Sequence, residues 1–171
     1  MTIDEPLRSP RLVTLQQALA RGNVTALATF WQEVSQQGTP LIESIQDDSE
    51  HSFVTFLWRA EKAIKNVVVI GDLTGWDFDE WQMSHLQGTD LWYKTCHVRN
   101  DVRTTYWLAP NDSLIPMEKS IGFIDWEERS ATWGPDPLNL HTYLIPKHAE
   151  DPAEIDMRKS ILEMPAAPSQ P

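Results

Sequence analysis

The stretch S-F-V-T-F-L-W-R, Ser52 to Arg59, decides the fold. Its apolar residues fall on both faces of an extended chain, so it reads as a strand covered on two sides. Working outward, Asn66 to Ile70 (N-V-V-V-I) is a second β-branched run, stopped by Gly71. Gln82 to Leu86 is a short strand candidate, and Gly88-Thr89-Asp90 is a turn. Leu91 to Arg99 and Thr104 to Ala109 are strands joined by the polar turn Asn100-Asp101, and His141 to Ile145 adds a last one. Strands at this spacing, separated by turn signals, predict an antiparallel β-sandwich.

Before the β region the periodicity is helical. Leu12, Leu15, Ala18 and Leu19 line one face of Ser9 to Gly22, with Ser9 as cap and Pro10 at the first helical position. Asn23 is placed to cap a second helix with the stripe Leu27, Phe30, Trp31 and Val34, ended by Gly38. Neither helix is long enough to stand alone in water, so both are expected to pack on the sandwich. Ser120 to Ser130 reads as a short helix or a loop. The chain thus divides into a flexible tail (residues 1–8), helices packed on the sandwich (9–38), the sandwich (39–146) and an extended, proline-rich C-terminal linker (147–171).

Composition narrows the function. The 171 residues carry 25 acidic against 14 basic side chains, net −11. That balance disfavours a general grip on nucleic acid or anionic lipid. No apolar run of membrane length is present, nor a secretory h-region near Met1, and the single cysteine forms no internal disulfide. A cytoplasmic location is the expectation.

The sequence lacks the usual catalytic and metal-binding patterns. No serine stands in G-x-S-x-G. Cys96 and His97 are neighbours on a strand and point to opposite faces, so Cys96 reads as a small buried hydrophobe. The five histidines stand singly, without zinc spacing. Asp77, Asp79 and Glu80 lack the calcium-loop pattern and read as a solvated loop. What remains is a binding surface built from some of the eight tryptophans. Trp76, Trp81 and Trp92 gather near turns, with Arg99 and Arg103, and also Lys94, close in sequence. Arginine beside aromatic rings suits a planar anionic ligand. The competing reading has Trp76 plugging the sandwich end and Trp92 in the core, and the sequence leaves both open.

Several segments resemble a known family. They are F-W-Q-E-V-S-Q-Q-G-T-P-L-I-E (Phe30 to Glu43), V-T-F-L-W-R (Val54 to Arg59), G-D-L-T-G-W-D-F-D-E-W-Q-M (Gly71 to Met83), G-T-D-L-W-Y-K-T (Gly88 to Thr95), Y-W-L-A-P-N-D (Tyr106 to Asp112) and D-P-L-N (Asp136 to Asn139). In order and spacing they resemble the N-terminal domain of the enterochelin (ferric-enterobactin) esterase family. The resemblance implies a mainly β fold, an immunoglobulin-like early-set β-sandwich with two short N-terminal helices. In that family an α/β-hydrolase domain follows, and the whole is a cytoplasmic serine esterase that opens the trilactone of ferric enterobactin and so lets iron go. The triad belongs to the second domain, and no residue of this chain matches it.

The expected function is therefore an accessory, substrate-binding domain without catalysis of its own. Its expected partners are a hydrolase domain, in cis or in trans, and a ferric catecholate siderophore. Iron enters only as part of that siderophore, and no other cofactor or metal is expected. Leu140 stands where the family tends to have proline, and the strand around Trp107 and residues Glu150 to Lys159 diverge. Gly71 to Trp76, Met83, Gly88 to Trp92 and Tyr106 to Leu108 also resemble early-set glycan-binding modules. Glycan binding is the alternative function, and homodimerisation through exposed aromatics is a third.

Overall fold

The computed structural model describes residues 6–75, 77–116, 119, 127–152 and 154–169. Two helices, α1 (Pro10–Ala20) and α2 (Ala26–Gln37), precede the strands β1 (Leu41–Ile45), β2 (Asp48–Arg59), β3 (Val67–Gly71), β4 (Ser84–His85), β5 (Leu91–Arg99), β6 (Arg103–Pro110), β7 (Thr142–Ile145) and β8 (Met157–Glu163). The strands form two antiparallel four-stranded sheets, in the orders β1-β2-β5-β4 and β3-β6-β8-β7.

The inner faces of the two sheets meet. Val54, Phe56 and Val98 of the first pack on Val67, Val69, Tyr106, Leu108 and Leu162 of the second. Phe56 meets Tyr106 edge-on, ring centroids 4.8 Å apart. The outer face of the first sheet is covered as well. There Leu41, Leu57, Leu91 and Tyr93 contact Leu12, Leu15, Phe30, Trp31 and Val34 of the helices. Hence four consecutive residues of β2, Val54 to Leu57, are each 0% exposed. The polar one, Thr55, shares a 2.9 Å hydroxyl hydrogen bond with Thr95. Burial of a side chain such as Leu57 contributes about 1.5–3 kcal/mol, which is what holds two short helices in place.

Local chemistry sets the helix ends. Ser9 Oγ accepts from the Leu12 N–H, with Pro10 in the first turn. The Glu43 carboxylate, from β1, accepts from the Arg11 N–H at 3.0 Å, placing an anion at the positive end of α1. Helix α2 starts later than the sequence predicts. Its N-cap is Thr25, and Asn23 Oδ1 accepts from the Thr25 amide and hydroxyl instead of capping the helix itself. Gly38, at φ 84°, terminates it.

Two boundaries need correction. Residues 147–171 are not an extended linker. β8 lies within them, hydrogen-bonded between β6 and β7. Leu162 and Met164 are buried, at 0% and 1% exposure. Beyond β8, Met164 and Ala166 donate backbone hydrogen bonds to Val102 and Asn100, across the β5–β6 turn. The tail at residues 1–8 is likewise docked where it is described. Leu7 packs on the helix-side core and Arg8 Nη2 donates to the Thr95 carbonyl at 2.6 Å.

Buried polar groups fasten the segments between strands. Asp136 Oδ2 accepts from the Thr39 hydroxyl at 2.6 Å and the Tyr106 hydroxyl at 2.7 Å, while its N–H donates to Ser160 Oγ. Asn139 Nδ2 donates to Tyr106 Oη and the Ile161 carbonyl. Burial holds the Asp136 carboxyl above its ordinary range against the pull of these donors. Burial, with the Asp136 charge beside it, pushes the Tyr106 phenol well up. A second buried pair joins Arg129 to Asp112 through two hydrogen bonds of 2.7 and 3.1 Å.

Candidate functional site

The structure keeps Trp81 and Trp92 against one core cluster, with Lys94 beside Trp81, but sets Arg99 well apart from Trp92. Trp92 and Arg99 stand seven residues apart on β5, roughly 23 Å at about 3.3 Å per residue. Trp92 is half-buried, packs toward the inter-sheet core and stacks on His85, ring centroids 4.7 Å apart. Trp81 also packs against the core, with Lys94 Nζ 5.8 Å from its ring centroid. Trp76 and Trp126 lie outside the described residues.

Arg99 pairs with Asp101 at 2.6 Å, beside the β5–β6 turn. Arg103 is occupied structurally. It donates to Glu163 Oε1 and the Pro168 carbonyl, each at 2.7 Å, and so clamps β8 and the chain after it. The guanidinium holds the Glu163 carboxyl below its usual range. Asp77 and Asp79 accept from Glu80 N–H and Gln82 Nε2 within their loop. Cys96 packs toward the core while His97 faces out, as strand alternation requires.

An aromatic and cationic platform does exist, on the outer face of the second sheet. β6 alternates, so Tyr106 points into the core and Trp107 points out. Trp107 lies 5.6 Å from Trp133, and Trp133 meets Phe78 edge-on at 5.9 Å. Lys159 Nζ sits 4.1 Å from the Trp107 ring centroid, and Trp107 Nε1 donates to the Arg158 carbonyl at 2.9 Å. The Arg129 guanidinium lies 4.5 Å from the Phe78 ring centroid. Between Trp107, Trp133 and the β7–β8 hairpin runs a cleft of about 690 Å³ of mixed charge, with Lys147 and Arg158 and also Glu127, Glu154 and Asp156 in its walls. That volume falls in the ligand-sized range. Tyr143 and Met157 extend the exposed apolar area along the hairpin. Sequence reading misses this platform because Trp107, Trp133 and Lys159 are far apart in the chain. The available signal was the outward alternation of Trp107 beside the buried Tyr106.

The two packed sheets define a β-sandwich domain with an aromatic outer face, and comparison with known proteins names its family. A family described as "Enterochelin esterase, N-terminal" matches residues 53–171. The chain belongs to that family. It is 31% identical over 157 residues to an iron(III) enterobactin esterase of Dickeya dadantii, a match covering 82% of this chain and 33% of the relative. An iron(III) salmochelin esterase of Escherichia coli is 30% identical over 89 residues, 51% of this chain and 22% of that protein. Among solved structures, the enterobactin esterase of Shigella flexneri with 2,3-dihydroxy-N-benzoyl-serine matches at TM-score 0.59 and 27% identity, over 84% of this chain and 36% of that one. The same enzyme in the presence of enterobactin matches at TM-score 0.57 and 25% identity. The chain therefore spans about a third of the length of the first relative and of these structures. No helix among the described residues is long and apolar enough to cross a membrane.

Proposed function

We propose that this chain is the accessory, non-catalytic domain of a cytoplasmic siderophore esterase, built as an immunoglobulin-like early-set sandwich. Its task is to help hold a ferric catecholate while an α/β-hydrolase domain, in cis or in trans, opens the ester ring. Iron enters only inside the siderophore. Family membership supports the pathway, and the length of the relatives supports assigning the chemistry to polypeptide beyond the matched third.

One observation carries the binding role: Trp107, flanked by Trp133 and Lys159, beside a ligand-sized cleft whose walls hold Lys147 and Arg158 together with Glu127, Glu154 and Asp156. Catecholate rings stack on indoles, and their anionic oxygens need cations close by in a protein of net charge −11. Trp92, engaged with His85 and turned to the core, is not the platform in this reading.

Isothermal titration of the chain with ferric enterobactin, 2,3-dihydroxybenzoyl-serine and maltooligosaccharide tests it. The expected result is catecholate binding weakened tenfold or more by Trp107→Ala, with Trp92 in place. Binding of maltooligosaccharide alone would establish the glycan-module alternative. A stable dimer without ligand binding would favour the homodimerising one.

A further inference from the structure

The five histidines stand apart in sequence, yet two of them meet in space. His51 lies on β2 and His97 on β5, diagonal neighbours across the ladder, since His51 pairs with Arg99 and Phe53 with His97. Their rings stack with centroids 4.3 Å apart and planes 15° from parallel. The carboxylate of Asp48, at the start of β2, reaches both. Its oxygens lie 3.1 Å from His51 Nδ1 and its Oδ2 lies 3.3 Å from His97 Nε2.

We infer that Asp48, His51 and His97 form a binding site for a divalent transition-metal cation of the zinc, nickel or copper type.

Four features carry this. The donor set is two imidazoles and one carboxylate, which suits such cations. The donor spacing is right: ligands about 2.1 Å from a tetrahedral ion sit about 3.4 Å from one another, and all three donor atoms lie within 4.8 Å of each other. The carboxylate is preorganised. Asp48 Oδ1 accepts from the Glu50 and His51 amides at 3.0 and 3.1 Å, and Asp47, at φ 63°, turns the chain just before it.

The site is also reachable, because the three side chains are 29%, 30% and 47% exposed for His51, Asp48 and His97. Imidazole χ2 wells are broad, so a swing of the near-parallel rings brings both nitrogen lone pairs onto one ion and leaves its remaining positions to water. Arg99, the cation nearest in register, is paired with Asp101 and does not compete for the carboxylate. The site involves neither the Trp107 cleft nor the siderophore's own iron.

The test is isothermal titration of the untagged chain with Zn²⁺ and separately with Ni²⁺, alongside His97→Gln, Asp48→Asn and His148→Ala. Asp48→Asn keeps the oxygen that accepts from the turn amides, and far-ultraviolet circular dichroism verifies each fold. Saturable 1:1 binding in the micromolar range, weakened tenfold or more by His97→Gln and by Asp48→Asn but unchanged by His148→Ala, supports the site. Selective broadening of the His51 and His97 ring resonances by substoichiometric Ni²⁺ supports it independently. Absence of saturable binding up to 1 mM, or equal binding by wild type and His97→Gln, overturns it.

Discussion

Tyr106→Phe removes one oxygen from the centre of the fold and keeps the ring. The ring continues to meet Phe56 edge-on, so the perturbation is confined to hydrogen bonds. Asp136 loses one of the two hydroxyls that donate to its Oδ2 and keeps Thr39 and the Leu138 amide. Asn139 Nδ2 loses one acceptor and keeps the Ile161 carbonyl. A hydrogen bond to a buried charged group contributes about 1.5–3 kcal/mol, and the second, neutral bond about 0.5–1.5. Because Asn139 retains a partner, the expected loss is about 2–3 kcal/mol, a large part of a stability of about 5–15 kcal/mol.

The loss depends on pH. Asp136 has a raised folded pKa, so the folded state holds its proton more tightly than the unfolded chain does. Folding is therefore favoured by this group on the acid side, and that contribution fades as pH rises from 3.8 through the folded value. The Tyr106 hydroxyl stabilises the ionised carboxylate in particular, so Phe at 106 raises the Asp136 pKa further. The gap between wild type and variant should be widest at pH 7 and shrink as pH falls toward 4. Urea unfolding followed by tryptophan fluorescence at pH 4, 5, 6 and 7 measures this. A loss below 0.5 kcal/mol at pH 7, or a gap independent of pH, would refute the role given to the Asp136 cluster.

Other substitutions probe separate fasteners. Arg129→Ala strips Asp112 of its buried partner and should destabilise by about 3–5 kcal/mol in the same unfolding assay. Gly71→Ala puts a Cβ 2.5 Å from the Thr105 carbonyl oxygen, so β3 and β6 must part locally; a loss of about 1–3 kcal/mol is expected in thermal unfolding. Trp58→Ala should cost about 3–5 kcal/mol if the half-buried indole packs on the inter-sheet core as described. Arg103→Ala should leave catecholate affinity unchanged while limited proteolysis cuts the chain after Glu163 faster, since Arg103 ties the end of β8 at Glu163 to Pro168 beyond it.

The strands that alternate or run apolar in sequence are where the ladders form, and the two-sided reading of Ser52 to Arg59 has a direct cause. One face meets the other sheet and the next meets the helices. β8 was not legible because Ser160, at 0% exposure, occupies an inward position where alternation calls for an apolar residue. Its hydroxyl is there to accept from the Asp136 amide. A buried polar group whose partner lies 24 residues away leaves no local signal. The expected patch is divided for a related reason: residues close in sequence need not be close in space, and a strand carries Trp92 and Arg99 to opposite ends of a sheet.

The segments that reveal the family prove to be fasteners. Asp90, in G-T-D-L-W-Y, accepts from Trp31 Nε1 at 2.8 Å and Arg59 Nε at 2.9 Å, and so ties α2 and the end of β2 to the turn before β5. Thr74, in G-D-L-T-G-W, closes the turn after β3 through its hydroxyl. Asp136 and Asn139, in D-P-L-N, bind the segment before β7 to Tyr106 and β8. Each has partners fixed by the scaffold, so a chain that needs this sandwich needs these residues whatever it binds. Trp107 and Lys159 stand outside this set of buried polar contacts, on the outer face of the second sheet. Recognisable motifs therefore report the architecture, and under the proposed function ligand preference is carried by the outer face of the second sheet. A graft of that face between two members of the family should move the ligand preference with it and leave stability nearly unchanged.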